Sequence, residues 1–350
     1  MLREPYGHRK KLLFYSIYFT VASLLVLAVA EITARLIGYR PWSVAQARIV
    51  VEPGGKFFMK HSTLGYTHLP GLFKVTLSEV YTFKATNLEN TLRATHPRNV
   101  AKVEGEKQEI WLFGDSITYG WSVNDEETYA WLLQEKLPDY EVVNFGVSGY
   151  GTLHSLIQLR EAIQSGRRPR LAVIVYASFH DVRNTFIRIR RKMLATSTHL
   201  GPLNQPYATL GKDGKLQLWM DTLEFREFPL MRHSALVHAL EEAYDRYEER
   251  HSRSHEVTKA IIKEFSDLCE ANRIELVVAA LTSDPTTKDM LDYCRSEGIK
   301  TTNMWVDYLN IKENNNLPFD SHPSALAHRQ YEQKLESFLL QDVLNNSFRN

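Results

Sequence analysis

The chain has 350 residues, 44% hydrophobic and 24% charged, ordinary proportions for one large globular domain with additions. Its 42 basic and 41 acidic side chains leave a formal net charge of +1, which excludes the electrostatic footprint of a nucleic-acid binder. The two cysteines, Cys269 and Cys294, fit no zinc spacing and are read either as a disulfide or as two buried thiols.

The N-terminus is distinctive. Leu12 to Ala30 carries no charge, and as a helix at about 1.5 Å per residue it covers the roughly 30 Å hydrocarbon core. Arg9, Lys10 and Lys11 precede it directly and Arg3 lies further up, so the basic end is expected in the cytoplasm and the rest outside. Arg35, Arg40 and Arg48 follow on the far side and narrow that margin. A cleaved signal ending at Ala28-Val29-Ala30 is the competing reading. The apolar run is longer than a signal core of about 7–15 residues, and the helical pattern runs on to Gly38, which favours an uncleaved anchor over residues 1–38.

Residues 39–105 are punctuated by Pro41, Pro53, Gly54, Gly55, Gly65, Pro70, Gly71 and Pro97. They read as an irregular lead-in that packs on the main domain, with short strand-like pieces at 73–77 and 80–83. From residue 109 the rhythm changes to strands (109–113, 141–145, 171–177, 274–281) alternating with helices (128–137, 153–164, 257–271, 286–296, 324–340). The run Leu171–Ala177 is apolar throughout, as for a strand buried on both faces. This pattern predicts a parallel sheet covered by helices on both sides, in a domain over 106–345. An insertion at about 184–255 interrupts it. There Arg183, Arg188, Arg190, Arg191 and Lys192 form a basic run, Gly211–Gly214 separates two halves of a hairpin, and a charged helix begins at Ala235. Following a strand's carboxyl end, the insertion is read either as overhanging the ligand crevice or as a surface excursion, and the basic run as a solvated face more often than a binding patch.

Four polar clusters carry the candidate chemistry. Gly114-Asp115-Ser116 ends the first strand and can expose a serine hydroxyl at the sheet's carboxyl edge. Asn144-Phe145-Gly146-Val147-Ser148-Gly149-Tyr150-Gly151 ends the second and can aim backbone N–H groups at a ligand. Ser178-Phe179-His180-Asp181 follows the third. Asp320-Ser321-His322-Pro323 precedes the last helix, where His322 can take a proton from a serine while Asp320 orients the ring. Each is common turn chemistry by itself. Together they supply nucleophile, base, orienting acid and amide donors, three of them at one sheet edge.

Over about residues 105–340 the chain resembles the SGNH hydrolases, also called the GDSL esterase/lipase family, in the style of membrane-anchored bacterial members. The resemblance rests on Gly114-Asp115-Ser116 with Thr118 and Gly120, on Asn144 to Gly146 with Gly149-Tyr150-Gly151, and on Asp320 with His322-Pro323. It implies a flavodoxin-like three-layer α/β/α fold with a parallel sheet, here after one N-terminal transmembrane helix. It also implies ester hydrolysis without metal or other cofactor. Ser116 is then the nucleophile, His322 the base and Asp320 its partner. The N–H groups of Ser116 and Gly146 and the side chain of His180 would hold the oxyanion. Two departures stand out. His180 occupies the place of the family's asparagine, and only Ser321 separates Asp320 from His322, with Asp307 as a poorer spare acid. The expected protein is a membrane-anchored serine esterase outside the cytoplasm, acting on an acetylated envelope polysaccharide or a lipid-like ester. Alternatives are an acyltransferase using the same site, or a non-catalytic carbohydrate-binding or assembly protein.

Overall fold

The computed structural model describes residues 6–44, 48–97, 107–197 and 200–344; Arg3 and residues 98–105 of the lead-in lie outside them. The helices are α1 (Tyr6–Leu36), α2 (Ser116–Tyr119), α3 (Tyr129–Lys136), α4 (Thr152–Gln164), α5 (His180–Thr185), α6 (Arg188–Ser197), α7 (Ala235–His251), α8 (Ser254–Ala271), α9 (Pro285–Ser296) and α10 (Ala325–Phe338). The strands are β1 (Ile49–Glu52), β2 (Phe58–His61), β3 (Gly65–His68), β4 (Gly71–Leu77), β5 (Tyr81–Asn87), β6 (Gln108–Phe113), β7 (Tyr140–Asn144), β8 (Leu171–Tyr176), β9 (Asn204–Leu210), β10 (Leu216–Thr222), β11 (Glu275–Ala280), β12 (Lys300–Asn303), β13 (Asn315–Asn316) and β14 (Asp320–Pro323). They form two compact units, residues 1–45 with 225–248, and residues 46–224 with 249–350.

In the larger unit a five-stranded sheet runs β12-β11-β8-β6-β7 with every neighbouring pair parallel. The central strand β8 sends Ala172, Ile174 and Tyr176 to one face and Leu171, Val173 and Val175 to the other. All six residues are buried, so the strand has no polar side to read from sequence. Helices α4, α8 and α9 cover the first face through Leu153, Leu156, Ile261, Phe265 and Met290. Helices α3 and α10 cover the second through Tyr129, Leu133, Tyr331 and Leu335. Each large apolar side chain so buried contributes roughly 1.5–3 kcal/mol. The result is the three-layer α/β/α arrangement, and β12 adds an edge strand that the sequence rhythm did not reveal.

The lead-in is more regular than its prolines and glycines suggest. Strands β1, β4 and β5 form an antiparallel sheet, and β2 pairs with β3. Phe57, Phe73, Val75 and Phe83 bury against Tyr119 and Trp121, which follow the first polar cluster. The chain then passes along the main sheet's edge. Arg93 bridges Asn144 antiparallel, and the Thr95 hydroxyl donates to the Val142 carbonyl at 2.7 Å. Within the insertion, β9 and β10 pair as the anticipated hairpin. The basic run becomes α6 with Arg190 buried; its guanidinium donates to the Gly149 carbonyl at 2.6 Å, so this cation is not a solvated one. Cys269 and Cys294 are both free and buried, and burial pushes each thiol up to about 12.

In the smaller unit, Lys10–Leu36 of α1 is long and apolar enough to cross a membrane by length and composition. Its end is tied to the start of α7. The Glu31 carboxylate accepts from the Ser234 hydroxyl at 2.7 Å and from the amides of Ala235 at 3.0 Å and Leu236 at 2.9 Å. A carboxylate there satisfies first-turn amides that have no acceptor within the helix.

Candidate active site

Ser116 is the first residue of α2, directly beyond β6. Asp115 caps this helix, its Oδ1 accepting from the Ile117 N–H at 2.9 Å. Gly114 is required by close approach, because a Cβ there would lie 2.1 Å from Thr118 Oγ1. Gly120 ends the helix with φ of 85°, a left-handed conformation that favours glycine. The serine hydroxyl is thus set on a short helix fixed at both ends, with 8% of the residue's surface still exposed.

Asp320 and His322 lie on β14, which pairs with β13 in a short hairpin. Residues two apart on an extended strand face the same side, so a single intervening residue suits the pair. His322 Nε2 lies 2.9 Å from Ser116 Oγ, across 206 residues of sequence, and His322 Nδ1 lies 2.6 Å from Asp320 Oδ1. The same carboxylate oxygen accepts from the His322 N–H at 2.7 Å. Burial works to raise the Asp320 pKa, but the hydrogen bonds and charge of His322 outweigh it and hold the carboxyl below its ordinary value. Asp320 is therefore ionised at neutral pH. Asp307 is engaged elsewhere, accepting from the Asn310 amide at 3.0 Å.

The three remaining expectations divide. The Ser116 N–H opens α2 and so has no intrahelical acceptor. The Gly146 N–H, in contrast, is occupied: it donates to Asn144 Oδ1 at 2.9 Å. Asn144 also donates to the Thr118 carbonyl at 2.8 Å and so fastens this loop beneath α2. A Cβ at Gly146 would lie 2.4 Å from the Tyr119 nitrogen, so close packing against this segment requires glycine here. Three residues on, the Gly149 N–H has no acceptor among the described residues. His180 is 1% exposed. Its Nδ1 faces the Ala177 N–H at 3.4 Å, which leaves the ring proton on Nε2, and Nε2 faces Asp115 Oδ2 at 3.4 Å. Burial lowers the His180 pKa against the opposing pull of Asp115, which favours the neutral ring beside that carboxylate.

Sequence reasoning missed two groups here. Arg183 donates from Nη1 to Asp115 Oδ2 at 3.0 Å and to the Tyr150 carbonyl at 2.8 Å, joining the helix cap to the glycine loop. Burial works to raise the Asp115 pKa, but His180, Arg183 and the Ile117 amide hold it well below the usual carboxylate range. Nothing in the local sequence of Asn144 announces its bond to the Thr118 carbonyl. Asp181, from the third cluster, accepts from the Tyr176 hydroxyl at 3.0 Å and pairs with His255 Nδ1 at 2.7 Å. No group of three or more histidine, cysteine or acidic side chains with metal-holding geometry occurs among the described residues.

Residues 112–330 match the GDSL-like Lipase/Acylhydrolase family. The chain belongs to that family. Membership supports the hydrolysis of ester bonds. No curated protein matches the chain. Among solved structures, TesA is similar at 13% identity, covering 68% of this chain and 100% of that one, with a TM-score of 0.40. A GDSL-like lipase of Bacteroides thetaiotaomicron is similar at 13% identity over 68% and 90% of the two chains, with a TM-score of 0.36. A member of the lipolytic protein G-D-S-L family of Veillonella parvula is similar at 11% identity over 67% and 99%, with a TM-score of 0.37.

The orientation of His180 yields a prediction. Removing an oxyanion donor typically lowers kcat by about 10²–10³-fold. His180→Ala, assayed well below its Tm, is expected to lose less than about tenfold in kcat. A loss of a hundredfold or more would restore the donor role.

Proposed function

We propose that this protein is a membrane-anchored serine esterase in which Ser116 is the nucleophile, His322 the general base and Asp320 the residue that orients it. The observation that carries this reading is the unbroken line from Ser116 Oγ through His322 to the Asp320 carboxylate, at 2.9 Å and 2.6 Å. Ser116 Oγ attacks the ester carbonyl carbon as its proton moves to His322 Nε2. Asp320, ionised, holds the Nδ1–H and balances the imidazolium charge. The tetrahedral oxyanion is held by the N–H groups of Ser116 and Gly149, the second replacing the occupied Gly146 amide. Collapse expels the alcohol, which takes the proton from Nε2. Water then enters, gives a proton to the same nitrogen as its oxygen bonds to the acyl carbon, and the acid leaves as the bond to Ser116 Oγ breaks and Oγ takes the proton back from Nε2.

The substrate class is an ester of the cell envelope, an acetylated polysaccharide or a lipid-like ester, reached from the outer side of the membrane. Support for the anchor comes from α1, whose apolar side chains from Leu12 to Val29 are mostly exposed, with nothing among the described residues to bury them. Lys10 and Lys11 at its start favour a cytoplasmic N-terminus.

Ser116→Ala is expected to abolish hydrolysis of an activated acetyl ester while leaving Tm within a few degrees. Substantial residual turnover would reject the assignment of the nucleophile. The native chain is expected to stay in the membrane pellet after an alkaline carbonate wash. Its N-terminal peptide should precede residue 30 on mass spectrometry; a mature chain beginning at Glu31 would replace the anchor with a cleaved signal.

A further inference from the structure

The residues that match the family begin at 112, yet three loops of the site are each held by a side chain from before that point. Arg93, with a fully buried side chain, aims its whole guanidinium at the turn after α2 and at the adjoining lead-in strand. Nη1 donates to the Gly120 carbonyl at 2.9 Å, Nη2 to the Val123 carbonyl at 2.9 Å and the Lys84 carbonyl at 3.1 Å, and Nε to Asp125 Oδ1 at 2.7 Å. Tyr66 reaches the glycine loop, its hydroxyl donating to the Ser148 carbonyl at 2.9 Å, next to Gly149. Tyr81 reaches two loops at once. Its ring stacks on Phe319, the neighbour of Asp320, with centroids 5.9 Å apart and planes at 16°. Its hydroxyl donates to the Ser122 carbonyl at 2.7 Å, and the same oxygen accepts from Asn316 Nδ2 at 3.2 Å in the hairpin that carries Asp320 and His322.

We propose that residues 58–95 serve the reaction as a positioning clamp, with Arg93, Tyr66 and Tyr81 fixing the nucleophile turn, the glycine loop and the acid–base hairpin relative to one another. None of the three touches Ser116 or His322 among the described contacts, so all act through other residues. The hairpin β13–β14 is short and pairs with nothing else in the sheets, so its register to Ser116 depends on such outside holds. A displacement of about 1 Å at a reacting group can cost on the order of 100-fold in rate. The clamp rests on the hydrolase reading above and extends it to a segment outside the matched residues.

Arg93 is too deeply buried for a clean test, so Tyr81 carries it. In the full-length chain, Tyr81→Ala is expected to lower kcat by roughly 10- to 100-fold with KM within about twofold of native. Tyr81→Phe keeps the stack on Phe319 and loses one hydrogen bond, so it is expected to recover most of that loss. A ring N–H proton resonance of ¹⁵N-labelled His322, engaged with Asp320, is expected in the native chain and in Tyr81→Phe, and is expected to broaden or vanish in Tyr81→Ala. Folded Tyr81→Ala with native kcat and a native His322 resonance overturns the clamp. Native chain and Ser116→Ala are measured alongside: turnover that survives in Ser116→Ala, or none in the native chain, rejects the hydrolase reading. In either case the His322 resonance still decides the clamp.

Discussion

Five parallel strands must all release their chain at the same edge of the sheet, and that constraint governs where chemistry can gather in this molecule. In the order β12-β11-β8-β6-β7 the strand β6, which runs into Ser116, has β7 on one side and β8 on the other. The glycine loop and the third polar cluster therefore leave the sheet on either side of Ser116. No local property of these segments brings them together. The shared direction does, enforced by apolar faces that bury on two sides and leave the strands no other way to pack. Only Asp320 and His322 need a separate device, because they come from a hairpin outside the main sheet.

The electrostatics of the edge follow from how each charge is matched. Asp115 would be costly to bury by itself, and Arg183, the Ile117 amide and the facing His180 ring compensate it. Asp320 is matched in turn by His322. The two carboxylates are thus committed to different tasks. One holds the serine's helix in place from behind, and the other faces the imidazole that meets the hydroxyl. His180, which replaces an amide side chain expected from the resemblance, belongs to the first group.

Most of the fold was legible because long elements with a steady period dominate it. The continuous apolar run of β8 and the helices with proline or glycine at their ends could hardly be read otherwise. The edge strand β12, Lys-Thr-Thr-Asn, has no apolar run and was missed for that reason. The lead-in strands were obscured by glycines and prolines that turn out to sit mostly at their ends; β4 and β5 pair as a tight hairpin, while β1 reaches past β2 and β3 to its partner β4. Basic Arg190 looked solvated because sequence cannot show that the Gly149 carbonyl waits for it. Within the site, Ser116, Asp320 and His322 could be named from motif and order. The close spacing of the acid and base makes sense only once they lie on a strand, and the loss of the Gly146 amide to Asn144 depends on a side-chain bond that no spacing rule encodes.

The central claim is that His322 activates Ser116 across the 2.9 Å that separates them. The most direct measurement is covalent labelling of the full chain with a fluorophosphonate, followed by peptide mass spectrometry. The account predicts one adduct, on Ser116, formed rapidly by the native chain and almost not at all by His322→Ala. A native chain whose Ser116 stays unlabelled, or labelling that persists undiminished without the imidazole, would contradict it.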